Sequence, residues 1–324
     1  MQIKISETAI RNNAKHISAL TPFYAVVKAN AYGLGATKIS ALLESYAQGF
    51  CVANTEEAKE LISSGIKKDI LVLGKTRHAL KAPSIIYTVS SKDDIDRLSR
   101  ISTPKFAVKV NTGMNRYGAD PKDVLALSKY ASERGVLHSV YSHLSAPGDR
   151  AFTRKQLSIF NNCSSTITAP KHICASAGLD YPDLHLDFCR CGIALYGGTV
   201  NSDPVIKITA PILEVRKLKS GERCGYGNLA FGKDVNIAVV GIGYADGYRR
   251  LSAPRYVYIN NKLCRVVAVC MDVCFALIDE NITTFDEAEI IGEHITLNDL
   301  AKSYGTITYE VLTGLGKRLK RIYE

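Results

Sequence analysis

Residues 23–204 repeat one rhythm, a short apolar, β-branched run followed by a stretch of helical spacing, and few folds can accommodate it. Apolar runs at 23–27, 49–53, 70–73, 84–89, 105–110, 137–144, 171–175 and 186–188 read as strands. Helical patterns at 36–47, 55–63, 92–99 and 121–134 separate several of them. Asn54 and Glu57 form a capping box for the second, and Pro121 opens the last. Eight such units in succession point to an α/β fold, an eight-stranded (β/α) barrel of the TIM type rather than an open sheet. A strand over 1–5 and a helix from the Ser6 cap to residue 20 precede them. Around residues 201–204 the grammar changes. Runs at 206–215, 235–244, 256–259, 265–270 and 274–278 follow with Gly, Asn and Asp turns, and helical patterns lie near 298–304 and 309–318. The expected division is a barrel over 1–204 and a C-terminal, mainly β domain over 205–324.

Composition narrows the function classes. With 46% hydrophobic and 22% charged residues, the chain reads as a soluble globular protein. No apolar run is long enough to span a bilayer and the first residues lack a signal-peptide core, so a cytoplasmic location is expected. The formal charge of +10 raises nucleic-acid binding, which predicts salt-sensitive association. However, the basic residues are spread along the chain, with one cluster at 317–321, which favours solubility and help for anionic ligands. The nine cysteines lack the paired spacing of a zinc site and read as reduced core thiols, with no metal expected.

Lys28 ends the first barrel run, just before a loop punctuated by Gly33 and Gly35. A lysine where a buried strand meets a βα loop loses hydration, and a neutral amine there is a good nucleophile for an aldehyde. A lone lysine would more often snorkel into water. Lys109 ends the fifth run, with Arg116 seven residues later able to hold a carboxylate or phenolic oxygen. His143 closes the sixth run, Ser176 follows the seventh, and Arg190 precedes Gly192 and Ile193. Singly, these are a structural histidine, a small loop residue and a surface arginine before a turn. Tyr226 between glycines, Tyr244 in a Gly-rich phrase, Met271 with Asp272, and Tyr309 in a helical pattern have equally plain readings as turn or core residues.

As an ordered set, these phrases resemble the alanine racemases nearly end to end. The resemblance begins at residues 23–35 and runs through 109–116, the phrases around His143 and Arg190, 221–227, 241–248, 270–272 and 308–310. It implies pyridoxal 5'-phosphate, carried on Lys28 and contacted by Tyr32, His143, Ser176, Arg190, Gly192, Ile193 and Tyr309. Arg190 would donate to the pyridine nitrogen and cannot accept its proton, which favours return of a proton over transamination. Lys28 and Tyr226 of a partner subunit would be the two bases that interconvert L- and D-alanine. Arg116, Met271 and Tyr244 would meet substrate, Asp272 would support them, and Lys109 would be an N6-carboxylysine facing Arg116. The first few residues would pack with the β domain, in a head-to-tail homodimer with shared active sites that supplies D-alanine for peptidoglycan. Leu34, Ala175 and Ala268 stand where the family commonly has histidine, asparagine and arginine, which bears on substrate breadth. The alternatives are a broader serine racemase, a decarboxylase of the same cofactor class, and a cofactor-binding regulator without turnover.

Overall fold

The chain opens with strand β1 (Gln2–Ile5) and helix Glu7–Leu20, whose start is capped by Ser6 Oγ accepting from Ala9 N at 3.2 Å. Eight parallel strands follow: β2 (Phe23–Val26), β3 (Gly49–Val52), β4 (Asp69–Val72), β5 (Ile85–Val89), β6 (Lys105–Lys109), β7 (Val136–Tyr141), β8 (Lys171–His172) and β9 (Cys189–Cys191). This computed structural model describes residues 1–100, 103–226, 229–251, 253–279 and 281–324. The strands pair in sequence from β2 to β8, and β9 returns beside β2. A parallel bridge between Ala175 and Arg190 joins the two ends of the sheet, as the barrel reading requires.

The second group of strands comprises β10 (Ile206–Leu218), β11 (Arg223–Cys224), β12 (Leu229–Ala230), β13 (Val235–Val240), β14 (Arg255–Ile259), β15 (Lys262–Val269), β16 (Cys274–Ile278), β17 (Glu287–Ile291) and β18 (Lys320–Tyr323). β11 and β12 pair as a two-stranded sheet of their own; the others form one sheet, which β1 joins antiparallel to β10 and parallel to β18. The chain divides into two compact units, Ile10–Leu195 and Met1–Ala9 with Tyr196–Glu324. Both have apolar cores: Phe23, Phe50, Phe106 and Phe160 are fully buried in the first, Ile3, Ile5, Val240 and Val257 in the second.

Several boundaries differ from those read in the sequence, each for a physical reason. The eighth barrel strand is Cys189–Cys191, not 186–188, because Leu186 adopts φ 52°, outside the extended region. β7 stops at Tyr141, so His143 lies in the loop beyond it rather than ending the strand. The 121–134 helix is a 3-10 turn, Pro121–Asp123, running into helix Val124–Arg134. The last helix is only Thr308–Thr313, since Gly314 and Gly316 interrupt 309–318. The basic cluster beyond it leads into edge strand β18, where charged side chains discourage further pairing.

Candidate functional site

Lys109 is the last residue of β6, and Lys28, His143, Ser176, Gly192 and Ile193 follow the carboxyl ends of barrel strands, the face at which such barrels present chemistry. The loop opened by Lys28 has an unusual backbone. Ala29, Asn30, Ala31 and Tyr32 lie at φ 53°, 55°, 51° and 56°. Left-handed conformation costs non-glycine residues about 1–2 kcal/mol each, so four in succession must be fixed from outside. Ala31 N donates to Val27 O at 2.7 Å and Gly35 N to Asn30 O at 2.9 Å. Asn30 Oδ1 accepts from Ala36 N at 2.7 Å.

Glu57 completes this support. Asn54 does cap its helix, accepting from Glu57 N at 2.9 Å, but the Glu57 carboxylate does not close the expected capping box. It accepts from Ala53 N at 2.7 Å and, from the neighbouring loop, from Ala29 N at 2.8 Å. Glu57→Ala should strip both donors of their acceptor, destabilising the barrel by about 1–3 kcal/mol. Thermal unfolding checks this, and an unchanged Tm would mean the turn is held without Glu57.

Around Lys28 the charge is positive. Burial, and then the Arg116 guanidinium, lower the Lys28 pKa from that of a free lysine. Lys109 is buried, its Nζ 3.9 Å from the Tyr117 ring centroid and 5.4 Å from that of Tyr141. Burial, with Arg116, Arg190 and Lys28 adding repulsion, pushes its pKa down to about 7. His143 is pushed down to about 3 by burial and then Arg190, so its ring is neutral through the physiological range.

Arg190 is buried within β9, and both of its terminal nitrogens are held. One terminal nitrogen, Nη2, donates to Ser142 O at 2.7 Å and Ile173 O at 3.3 Å, and lies 3.3 Å from His143 Nδ1. The other, Nη1, meets His172 Nδ1. Because arginine only donates, His172 Nδ1 must accept, which places the ring proton on Nε2. That proton goes to Ser139 Oγ at 3.2 Å, which lies 3.1 Å from His138 Nδ1, and His138 Nε2 is in turn 3.2 Å from Tyr24 Oη. This relay fixes the orientation of Arg190 from deep inside the barrel.

Beside Arg190, Ser176 Oγ accepts from Gly192 N at 3.0 Å and Ala194 N at 3.2 Å. A side chain at Gly192 would collide with Tyr32 Oη, so only glycine lets the backbone approach that hydroxyl. Tyr32, Ser176 and Gly192 thus form one small polar cradle, with Ile193 next in the chain. Across the mouth, Asn111 Oδ1 accepts from Asn115 N at 3.0 Å and Gly113 N at 3.2 Å, folding the loop that presents exposed Arg116.

Tyr226, Tyr244, Met271, Asp272 and Tyr309 belong to the other unit and are all exposed. Gly225, before Tyr226, lies at φ 61°, with its absent Cβ position 2.9 Å from Ala268 Cβ; Gly227 lies outside the described residues. Tyr244 N donates to Cys270 O and Ala245 N to Met271 O, both at 3.0 Å. Asp246, fully buried, accepts from Gly243 N and twice from Arg318 at 3.0 Å, and Arg318 Nη1 donates to Asp272 at 2.6 Å. Tyr309 lies on helix Thr308–Thr313. The sequence gives Glu57 only a local capping role and no signal at all for His172, Asp246 and Arg318, because their partners are remote along the chain.

The family model described as alanine racemase, N-terminal domain, matches residues 5–200, and that of the C-terminal domain matches 205–323. The alanine racemase of Actinobacillus succinogenes is 33% identical over 350 residues, covering 99% of this chain and 98% of that protein. The biosynthetic alanine racemase of Pseudomonas aeruginosa superposes with a TM-score of 0.93 at 26% identity, over 100% of this chain and 99% of that one. The Bartonella henselae alanine racemase, solved with covalently bound pyridoxal phosphate, gives 0.90 at 30% identity over 100% and 99% of the two chains.

Proposed function

The chain belongs to the alanine racemase family and is an amino-acid racemase, and from that premise we propose that it interconverts L- and D-alanine with pyridoxal 5'-phosphate. The observation that carries this reading is the buried Arg190, oriented by His172 and two backbone carbonyls beside the Ser176–Gly192 cradle. The fit of the cofactor rests on that cradle, which a Cβ at Gly192 would fill, and on a donor set suited to a phosphate. Lys28 would hold the cofactor, Tyr32, Ser176, Gly192, Ile193 and Tyr309 would bind its phosphate, and His143 would lie against its ring. When bound, the cofactor supplies an aldehyde and a conjugated ring that acidifies the α-hydrogen of an attached amino acid.

The chain's own residues then decide the outcome. Arg190 would donate to the pyridine nitrogen and cannot yield a proton, which would leave the ring a weak electron sink and favour simple return of the proton. Lys28 holds and returns the proton on the D face, its amine kept deprotonatable by burial and Arg116. Tyr226 of a partner subunit serves the L face. Arg116 and the Met271 backbone take the substrate carboxylate, and Tyr244 lines the approach. A neutral Lys109 amine can add carbon dioxide, losing a proton to become a carbamate that would neutralise Arg116. The enzyme would act as a cytoplasmic homodimer with shared active sites, supplying D-alanine to peptidoglycan. Among the described residues no helix is long and apolar enough to cross a membrane.

Chiral analysis of separate L-alanine and L-serine incubations with cofactor-loaded protein tests this. D-alanine in clear excess over D-serine supports the assignment. A serine preference transfers it to a broader racemase, with Leu34 and Ala268 as the first determinants to exchange. No racemisation of either overturns it.

The network beneath Met271 adds an expected result. Asp246→Asn keeps the size but loses the charge that Arg318 pairs with, loosening Gly243 and the Asp272 loop. Steady-state kinetics should show a roughly tenfold rise in KM for alanine with a smaller change in kcat. A loss confined to kcat would place Asp246 in the chemistry instead.

A further inference from the structure

We propose that Cys174, His185 and Cys189 form a tetrahedral binding site for zinc that braces the seam where the barrel closes. One donor atom from each of the three lies within 4.8 Å of the others, and the donors are buried. Among the described residues this is the one such cluster of three or more His, Cys, Asp or Glu groups. The sequence hides it, because the cysteines are separated by the whole β8–β9 connection rather than paired in a short motif.

The donor chemistry selects the ion. Two sulfurs and an imidazole suit zinc or another soft d10 cation and leave a fourth position for water. Gly178 gives the space: a Cβ there would stand 2.9 Å from Cys174 Sγ. The imidazole is already oriented from outside, with its Nε2 2.9 Å from Leu179 O; donation to that carbonyl leaves the lone pair on Nδ1. The Cys174 thiol donates to Ala175 O at 3.2 Å, and Cys189 Sγ lies 3.9 Å from both Thr21 Oγ1 and His185 O. Binding would form two Zn–S bonds and one Zn–N bond and release the two thiol protons to solvent.

The location gives the site a purpose. The β8–β9 connection has only the 3-10 turns Ser176–Gly178 and Pro182–Leu184 where most other barrel connections carry α-helices. The seam itself consists of the Ala175–Arg190 bridge, with Arg190 N donating to Cys174 O and Asp187 N to Lys171 O, each at 3.1 Å. Cys174 and Cys189 adjoin Ala175 and Arg190, so one ion there ties together the strand ends that carry Ser176 and Arg190.

The test uses the reduced, cofactor-loaded protein, stripped of metal with a chelator and titrated with zinc against a competing indicator. One zinc per chain is expected for the unmodified protein and for Cys191→Ser, a buried neighbour outside the set. His185→Ala should bind at least about tenfold more weakly, and Cys174→Ser and Cys189→Ser should lose the site. X-ray absorption should show two sulfurs near 2.3 Å and a nitrogen near 2.0–2.1 Å (about ±0.2 Å). Because a cysteine variant can fail to fold, His185→Ala, at a residue outside the barrel strands, and the absorption spectrum each decide independently. No zinc uptake at micromolar free metal, or uptake unchanged in His185→Ala with no sulfur ligands, overturns the proposal. So does a Cys174–Cys189 disulfide in protein purified without reductant, if the reduced protein then takes up no zinc.

Discussion

Lys28→Ala should lower alanine racemisation by about 10⁴-fold or more while leaving the barrel folded. Two functions converge on this amine in the proposed reaction, the covalent tether and the D-face base, so its loss removes both at once. The side chain contributes little to the fold. It follows β2 without belonging to it, and the left-handed turn after it is held by Glu57, Val27 O and Asn30, all of which remain. Removing a cation also relieves its repulsion with Arg116, so the unfolding temperature should hold or rise. The measurements are racemisation in both directions, thermal unfolding, and the visible absorption of lysine-linked cofactor, which should vanish. Added methylamine, a free amine of suitable size, should restore part of the activity. Full activity without a rescuing amine would sink the assignment of Lys28; a collapsed Tm would show that the lysine is structural.

How far the sequence carries one toward this site depends on where each residue finds its partners. The barrel strands were legible because burial on both faces demands unbroken apolar runs, as in Phe50-Cys51-Val52 or Ile85-Ile86-Tyr87. The last strand was not, because Cys189-Arg190-Cys191 carries a charge in its middle. Arg190 is tolerated there only because Ser142 O, Ile173 O and His172 reach it from two other strand ends. β17 was hidden for the same reason: buried Glu289 is satisfied by His294 N at 2.7 Å and Ile295 N at 3.0 Å, and looks like a solvated acid in a linear reading.

The same distinction separates the two kinds of site residue. Lys28, Lys109 and Ser176 announce themselves by ending apolar runs, so position alone draws attention to them. Glu57 looked fully explained by a local cap, and nothing along the chain shows its carboxylate crossing to Ala29 N. Cys174 and Cys189 looked like ordinary core thiols until the barrel placed them with His185. Local pattern reports what a residue does for its own element; function here depends on what it does for another one.

Tyr226→Phe should retain the bound cofactor and lose most turnover in both directions, while α-hydrogen exchange is lost on the L side alone. The ring is exposed in the chain, so removing its hydroxyl disturbs no core packing and a stability loss is not expected. If Tyr226 serves the L face, the variant can still remove and return the α-proton of D-alanine through Lys28. In deuterium oxide it should therefore exchange the α-hydrogen of D-alanine while forming little L-alanine. Mixing the two inactive variants then tests which chain supplies the tyrosine. In a heterodimer of Lys28→Ala with Tyr226→Phe, shared sites would recombine the intact lysine of one subunit with the intact tyrosine of the other. Random mixing makes half the dimers mixed, each with one complete site of two, so activity should recover to about a quarter of the unmodified level. No recovery despite proven subunit exchange would mean that lysine and tyrosine act within one chain. Unimpaired racemisation by Tyr226→Phe alone would assign the L face to another group.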